Sequence, residues 1–208
     1  MSTQTRLIRE LIEAGERVVR AGLVQASGGN LSARLPGTDR FVVTKRGTWL
    51  DALAEADFVA GSVAEGMGAD ERQASIEWKL HQATYAARPD IGAIVHLHPQ
   101  HVLLVTALEE PVRFVTLDHQ FYVGRAARVP FYPAGSTQLA RAAAEAARGC
   151  DAVILDHHGC STLGDTVAMA LRRALNLEEA AQMSYRLLLA GNRDAGFPAQ
   201  WRDRIIES

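Results

Sequence analysis

Five short stretches of this 208-residue chain carry side chains able to do chemistry. The first is His96-Leu97-His98, which closes an apolar run starting at Ile91 and bracketed by Gly92 and Pro99. The run is short, and Ile94 and Val95 are β-branched, which predicts a buried strand. Alternate strand residues share a face, so both imidazoles point the same way with Cβ atoms about 7 Å apart, close enough to hold one metal ion. The second stretch, Asp156-His157-His158-Gly159, follows another apolar run at 152–155 and repeats that geometry. Either His157 or His158 is available as a third ligand, and zinc with three protein ligands keeps a position open for substrate. The third is Glu77, near the start of a predicted helix. A carboxylate there either complements the helix dipole or moves a proton beside the metal. The last two are turns suited to anions, Ser27-Gly28-Gly29-Asn30 and Thr44-Lys45-Arg46-Gly47. Glycines let backbone N–H groups face an anion. Asn30 can brace such a loop or donate to a ligand, and two cations beside a glycine suit a phosphate or carboxylate. The Gly28-Gly29-Asn30 loop lacks the lysine of a P-loop and the spacing of a dinucleotide fold.

These residues need a scaffold, and apolar periodicity predicts one. Helices are expected over 6–22, where Leu7, Leu11, Ala14 and Val18 form a stripe, and over 75–88, capped by Ser75 and ended by Pro89. In the latter, Ile76, Leu80, Ala83 and Ala87 are the expected apolar face. Further helices are expected over 100–108, 136–148 (Ser136 cap, Gly149 stop) and 166–190 (Asp165 cap, Gly191 stop). Strands are expected at 41–43, 94–98, 112–117, 127–131 and 152–155. A short helix at 51–58 and a loop or edge hairpin over 59–71 fill the gap. The tail, 192–208, is expected to pack on the surface or on a neighbour. Strand pairs flanked by helices imply an α/β fold, a three-layer α/β/α sandwich around a largely antiparallel sheet, as one domain over 1–208.

Lys plus Arg number 22 and Asp plus Glu 24, a net charge of −2. That balance gives no general attraction to nucleic acid or to an anionic membrane. Two cysteines make no disulfide framework. No apolar run approaches membrane-spanning length, and the first sixteen residues lack a signal-peptide core. The expected location is cytoplasmic.

Ser27-Gly28-Gly29-Asn30-Leu31-Ser32, the 44–47 turn, Ser75-Ile76-Glu77-Trp78, His96-Leu97-His98 and His157-His158-Gly159 occur in an order and spacing that resembles the class II aldolase/adducin head family. The resemblance runs from about Arg6 to Ala190. It implies an α/β/α sandwich assembled as a C4 homotetramer, with the site in a cleft between subunits. It further implies zinc, or manganese or another divalent metal, held by His96, His98 and His158. Glu77 matches the catalytic carboxylate. Gly29, Asn30, Arg46, Gly47 and Ser75 fall in the pocket that grips a substrate phosphate. Tyr122 and His119 are the candidates for the family's proton-donating tyrosine.

Two departures bear on substrate choice. Arg46 stands where the family usually has Ser or Thr before the glycine, and Ile76 replaces the second serine of an aldolase Ser-Ser-Glu. The anion pocket is therefore altered, and its ligand is a phosphate or a carboxylate. The resemblance implies a metal-dependent lyase that cleaves a short-chain ketose phosphate by retro-aldol chemistry through a zinc-stabilised enediolate. A decarboxylase or dehydratase of a related sugar-acid or ketose phosphate on the same metal site is the alternative. A non-catalytic scaffold like the adducin head is a further one. Such heads have lost the metal ligands, whereas all three histidines and Glu77 are present here.

Overall fold

Side-chain caps set four helix starts. Ser2, Thr116, Ser136 and Thr166 each accept a hydrogen bond from the backbone N–H three residues on, satisfying a donor that a helix start leaves free. The computed structural model describes residues 2–202. In chain order the elements are α1 (Thr3–Arg20), β1 (Asn30–Arg34), β2 (Arg40–Thr44), β3 (Phe58–Ser62), α2 (Trp78–Ala87), β4 (Ala93–Leu97), α3 (Gln100–Ala107), α4 (Leu117–Tyr122), β5 (Ala127–Val129), α5 (Thr137–Ala147), β6 (Ala152–Leu155), β7 (Gly159–Gly164) and α6 (Val167–Leu189). No helix among the described residues is long and apolar enough to cross a membrane.

The seven strands form one sheet in the order β3-β2-β1-β4-β7-β6-β5. Every neighbouring pair is antiparallel except β5 with β6. The sheet is therefore mixed and mostly antiparallel. Strand alternation divides β4 between two cores. Ala93, Val95 and Leu97 pack with α1 and α6 through Leu11, Val18, Ala170 and Leu171. Ile94 packs with α2 and α5 through Leu80, Tyr85, Leu139 and Ala143. His96 shares the face of Ile94 and so points toward α2. A third cluster joins α3 and α6 through Val102, Val105, Leu177 and Ala181.

Several expectations are revised. The segment 112–117 forms no strand. Its backbone bonds instead to α6 and the tail, with the Arg113 N–H donating to Ser184 Oγ at 2.7 Å and the Phe114 carbonyl accepting from Phe197 at 3.0 Å. In place of a short helix over 51–58 there is a single 3-10 turn, Glu55–Asp57, and Phe58 already opens edge strand β3. β1 and β7 are strands that apolar patterning did not reveal, since Asn30, Ser32, Ser161 and Thr162 sit buried in them. α2 starts at Trp78, not Ser75, and its buried face is Leu80, His81, Thr84 and Tyr85. Ile76 precedes the helix and is 45% exposed. Residues 203–208 of the tail lie outside the described residues.

The junction of β4 with β7 leaves no room at Gly159. A Cβ there would stand 2.2 Å from the Leu97 carbonyl oxygen and 2.6 Å from His98 Cδ2. The first obstacle is backbone and cannot swing aside, and overpacking of this kind costs roughly 1–3 kcal/mol. Gly159→Ala should lose stability in that range, read as a lower urea midpoint at unchanged slope.

Candidate active site

Three strands lay down the floor of the site in a single row. Asn30 of β1 lies directly opposite His96 of β4, and His96 lies directly opposite Ser161 of β7. Directly opposed residues share a face of the sheet, so all three side chains point together. Ser161 Oγ lies 3.0 Å from His96 Nδ1. A hydrogen bond at Nδ1 leaves Nε2 to face the cleft. His98 follows on the same face, just past the end of β4. His158 comes from the tight turn between β6 and β7, where His157 takes a positive φ of 56°. That backbone turns the His157 side chain out to solvent and the next imidazole inward.

Glu77 reaches these imidazoles from the residue just before α2. Ser75 Oγ accepts the Glu77 N–H at 3.3 Å, and the Ser75 N–H donates to the Thr44 carbonyl at 3.0 Å. The helix therefore begins one residue after Glu77, whose side chain is free to extend into the cluster. The carboxylate is 3% exposed. Oε2 lies 2.8 Å from His96 Nε2 and accepts from Asn30 Nδ2 at 3.2 Å. Oε1 lies 3.1 Å from His158 Nε2. The Nε2 atoms of His96 and His98 are 3.2 Å apart. One ligand atom from each of Glu77, His96, His98 and His158 falls within 4.8 Å of all the others.

This donor set suits a divalent metal. Facing imidazole nitrogens need a proton or a shared cation between them, and neutral imidazole is a common zinc ligand. Glu77 Oε1 and His158 Nδ1 are buried without a well-directed hydrogen bond, a costly condition unless something else satisfies them.

Burial raises the pKa of Glu77, but the charge of His96 and the imidazoles of His158 and His96 outweigh it and hold the group well below the usual carboxylate range. Burial, reinforced by His96 and His158, pushes His98 down to about 4. Burial, with His96 behind it, pushes His81 down to about 3.

The cluster opens into a cleft of about 260 Å³. Gly29, Asn30, Arg46, Gly47 and Ser75 line it together with Glu77, His98 and His158. Two backbone links bring the 44–47 turn to Ser75: the Arg46 N–H donates to the Gln73 carbonyl at 2.9 Å, and Lys45 bridges Ala74. Gly47 has a φ of 74°, which the turn requires and which few other residues adopt. Gly28 is also pinned, since a Cβ there would come within 3.1 Å of His98 Nδ1.

The structure does not bring Tyr122 or His119 to this cleft. The Tyr122 ring packs beside the α3–α6 cluster with the Arg172 guanidinium 5.1 Å from its centre. His119 is buried with Nε2 3.4 Å from Glu179 Oε2. The proximity of a polar-aromatic segment to a histidine in sequence carried no information about where α4 would lie. Sequence reasoning also passed over Ser161 and His81. An alternation of small polar residues after a His-Gly turn was the available signal for Ser161.

An α/β protein with a mixed sheet that converges three imidazoles and a carboxylate on one cleft is the class defined by this geometry. The family described as Class II Aldolase and Adducin N-terminal domain matches residues 9–185. The chain is 31% identical over 198 residues to the 5-methylthioribulose-1-phosphate/5-deoxyribulose-1-phosphate aldolase of Rhodospirillum rubrum, covering 95% of this chain and 88% of that one. It is 29% identical over 186 residues to the L-fuculose phosphate aldolase of Escherichia coli O6:H1, covering 86% and 83%. The crystal structure of YgbL from Klebsiella pneumoniae, a candidate aldolase/epimerase/decarboxylase, superposes with a TM-score of 0.88 at 27% identity, covering 99% of this chain and all of that one. The chain belongs to the class II aldolase and adducin N-terminal domain family.

The depressed histidines link stability to pH. In the unfolded chain His81 and His98 take up protons near pH 6.5, whereas in the folded chain they do so only near 3 and 4. The unfolded state therefore binds more protons below pH 6.5, and stability falls as pH drops from there toward 4, by up to about 1.4 kcal/mol per pH unit for each histidine. Urea titrations of chelator-treated protein from pH 7 to pH 4.5 should show a steadily falling midpoint. A flat midpoint would contradict the neutral, buried state of both rings.

Proposed function

We propose that this chain is a metal-dependent aldolase that cleaves a short-chain ketose phosphate, acting as a single domain with the layering of an α/β/α sandwich. The observation that carries the reading is the buried Glu77 carboxylate in contact with His96 and His158, beside a cleft whose far rim carries Lys45 and Arg46. The two relatives named above act, by their names, on ketose phosphates, and such a substrate has the two ends this cleft would need.

His96, His98 and His158 would hold the metal, with zinc the first choice for three imidazoles and manganese an alternative. When bound, the metal supplies a Lewis acid that stabilises the negative charge developing on the substrate's oxygens. The chain's own residues do the rest. Retro-aldol cleavage breaks the bond between the carbon next to the carbonyl and its hydroxyl-bearing neighbour. The hydroxyl loses a proton, and the carbon that keeps the electron pair gains one. Glu77 would carry the proton to that carbon, and remove it in the condensation direction. The Asn30 carboxamide holds Glu77 Oε2 in place for this role. Gly29, Arg46, Gly47 and Ser75 would bind the phosphate, with N–H groups and a guanidinium as donors. Arg46 is exposed, so its contribution is to capture and orientation. Tyr122 lies outside the cleft of its own chain. Its role as proton donor is open only across a boundary between copies, in the homotetramer we also propose.

Decarboxylation of a sugar-acid phosphate is the second reading. It is favoured by Ile76, which lines the cleft where a second serine would strengthen phosphate binding. A screen of ketose 1-phosphates and sugar-acid phosphates, following aldehyde and carbon dioxide separately, distinguishes the two. Carbon dioxide without aldehyde would reject the aldolase.

One divalent metal per chain is expected by metal analysis. His96→Ala, His98→Ala and His158→Ala should each abolish tight binding, and His157→Ala should retain it. Full occupancy in the first three would refute the ligand set. Glu77→Gln should keep the metal and lower kcat by about 10²–10⁴-fold, the usual contribution of general acid–base catalysis. A kcat within about threefold of the parent, far below that range, would assign the proton transfer to another group.

A further inference from the structure

Behind Glu77 a line of buried polar side chains leads away from the cleft. Asn30 Nδ2 donates to Glu77 Oε2, and Asn30 Oδ1 meets His81 Nε2. His81 Nδ1 lies 2.6 Å from Ser32 Oγ, and Ser32 Oγ lies 2.7 Å from the Tyr85 hydroxyl. His81, Ser32 and Tyr85 are fully buried, and Asn30 is 5% exposed. Three parts of the fold contribute: Asn30 and Ser32 from β1, His81 and Tyr85 from α2, and Glu77 from the turn between Ser75 and α2.

Chemistry dictates where every proton in this line sits. An ionised carboxylate only accepts, so Asn30 must turn its amide nitrogen toward Glu77 and its oxygen toward His81. An amide oxygen only accepts, so His81 Nε2 must carry a hydrogen. A buried imidazole with no carboxylate beside it stays neutral, so His81 Nδ1 has no hydrogen and accepts from Ser32. Having given its only hydrogen away, Ser32 must accept from the Tyr85 hydroxyl. The order is Tyr85 to Ser32 to His81 to Asn30 to Glu77, with each group donating toward the carboxylate. Reversing any one link would leave two donors or two acceptors facing each other in a buried site, which is costly.

We infer that His81 is a positioning residue: its Nε2 hydrogen locks the Asn30 carboxamide in the orientation that donates to Glu77, and Ser32 and Tyr85 lock His81 in that tautomer. His81 does not line the cleft and makes no hydrogen bond to His96, His98 or His158; its hydrogen-bonded link to Glu77 runs through Asn30. The spacing fits this purpose. Glu77, His81 and Tyr85 recur every four residues, which stacks them along one face running from the N-cap down α2, and Asn30 and Ser32 are two apart on a strand, which gives them a common face. One helix face and one strand face thus interleave into a single chain of donors. Its consequence for turnover rests on the aldolase reading, whereas the tautomer and the amide orientation do not.

The test starts with the parent protein labelled with ¹⁵N-histidine and treated with chelator. Two-bond proton–nitrogen spectra should show His81, identified by its loss in His81→Gln, as a neutral Nε2–H tautomer at pH 7. The other tautomer, a mixture or an imidazolium would overturn the inference. Two variants then separate positioning from packing. His81→Gln keeps an amide donor at the reach of Nε2, whereas His81→Asn offers polar atoms only at the reach of Nδ1. The Asn30 carboxamide protons should exchange slowly in the parent and in His81→Gln and rapidly in His81→Asn. Hydrogen-bond partners behind a metal centre typically contribute 10–100-fold to activity, and His81 fixes such a partner of the cluster, Asn30. With zinc bound, His81→Asn should lower kcat in roughly that range and leave KM near the parent value, and His81→Gln should restore kcat to within about threefold. Equal losses in both variants, or no loss in either, would make His81 a packing residue and refute the inference. If the parent cleaves no ketose phosphate, the aldolase reading fails alone, and the tautomer and the Asn30 exchange still decide the role of His81.

Discussion

A carboxylate removed from water must be compensated, and Glu77 meets that demand inside a protein core. Its neighbours supply the compensation in two directions. Toward the cleft stand His96 and His158; toward the interior stands the Asn30 amide. Neither side alone would suffice, because ionisation in a low-dielectric site needs nearby positive charge or donors on each exposed lone pair. The imidazoles in turn need defined tautomers, which brings in Ser161. Much of the polar content of an otherwise apolar sheet follows from this one buried charge.

The fold answers that demand through register. β1, β4 and β7 are adjacent, and their pairing aligns Asn30, His96 and Ser161 in one line across the sheet. A slip of one residue in either ladder would turn one of these side chains to the opposite face, where Leu31, Val95 and Thr162 now sit. Apolar contacts of β4 with α1 and α6 oppose such a slip, since Ala93, Val95 and Leu97 would all leave their core together. The hydrophobic effect thus enforces a polar alignment to which it contributes no contact of its own.

This division also explains what could be read from the chain. β4 and β6 were legible because both of their faces are apolar and their residues β-branched, and the histidines at their ends came with them. α1, α5 and α6 were legible from their stripes, and α5 also from its Ser136 cap; α6 is capped by Thr166 and not by Asp165 as expected. β1 and β7 were not, because they carry polar residues into the core and so look like loops. The buried face of α2 was misjudged for the same reason, since His81, Thr84 and Tyr85 are inside and Ile76 is out. The 112–117 segment misled in the opposite sense, with strand-like residues whose backbone bonds to a helix side chain and the tail. Tyr122 was chosen by type, and type does not determine where a six-residue helix will sit. The cluster's members were readable one by one from their motifs, whereas the hydrogen bonds behind them required the register.

The position of β4 in the sheet has a further consequence. With three strands on either side, it lies in the part of a fold that opens only when the whole molecule unfolds. The opposite rim of the cleft is built differently. The turn at Arg46 and Gly47 is exposed and is anchored through the backbone links at Lys45 and Arg46, which places it at the low-cost end of the local opening spectrum. The cleft therefore joins two walls with separate clocks. A local opening of that turn, on the nanosecond-to-microsecond scale of loops, would leave intact the register that aligns the imidazoles.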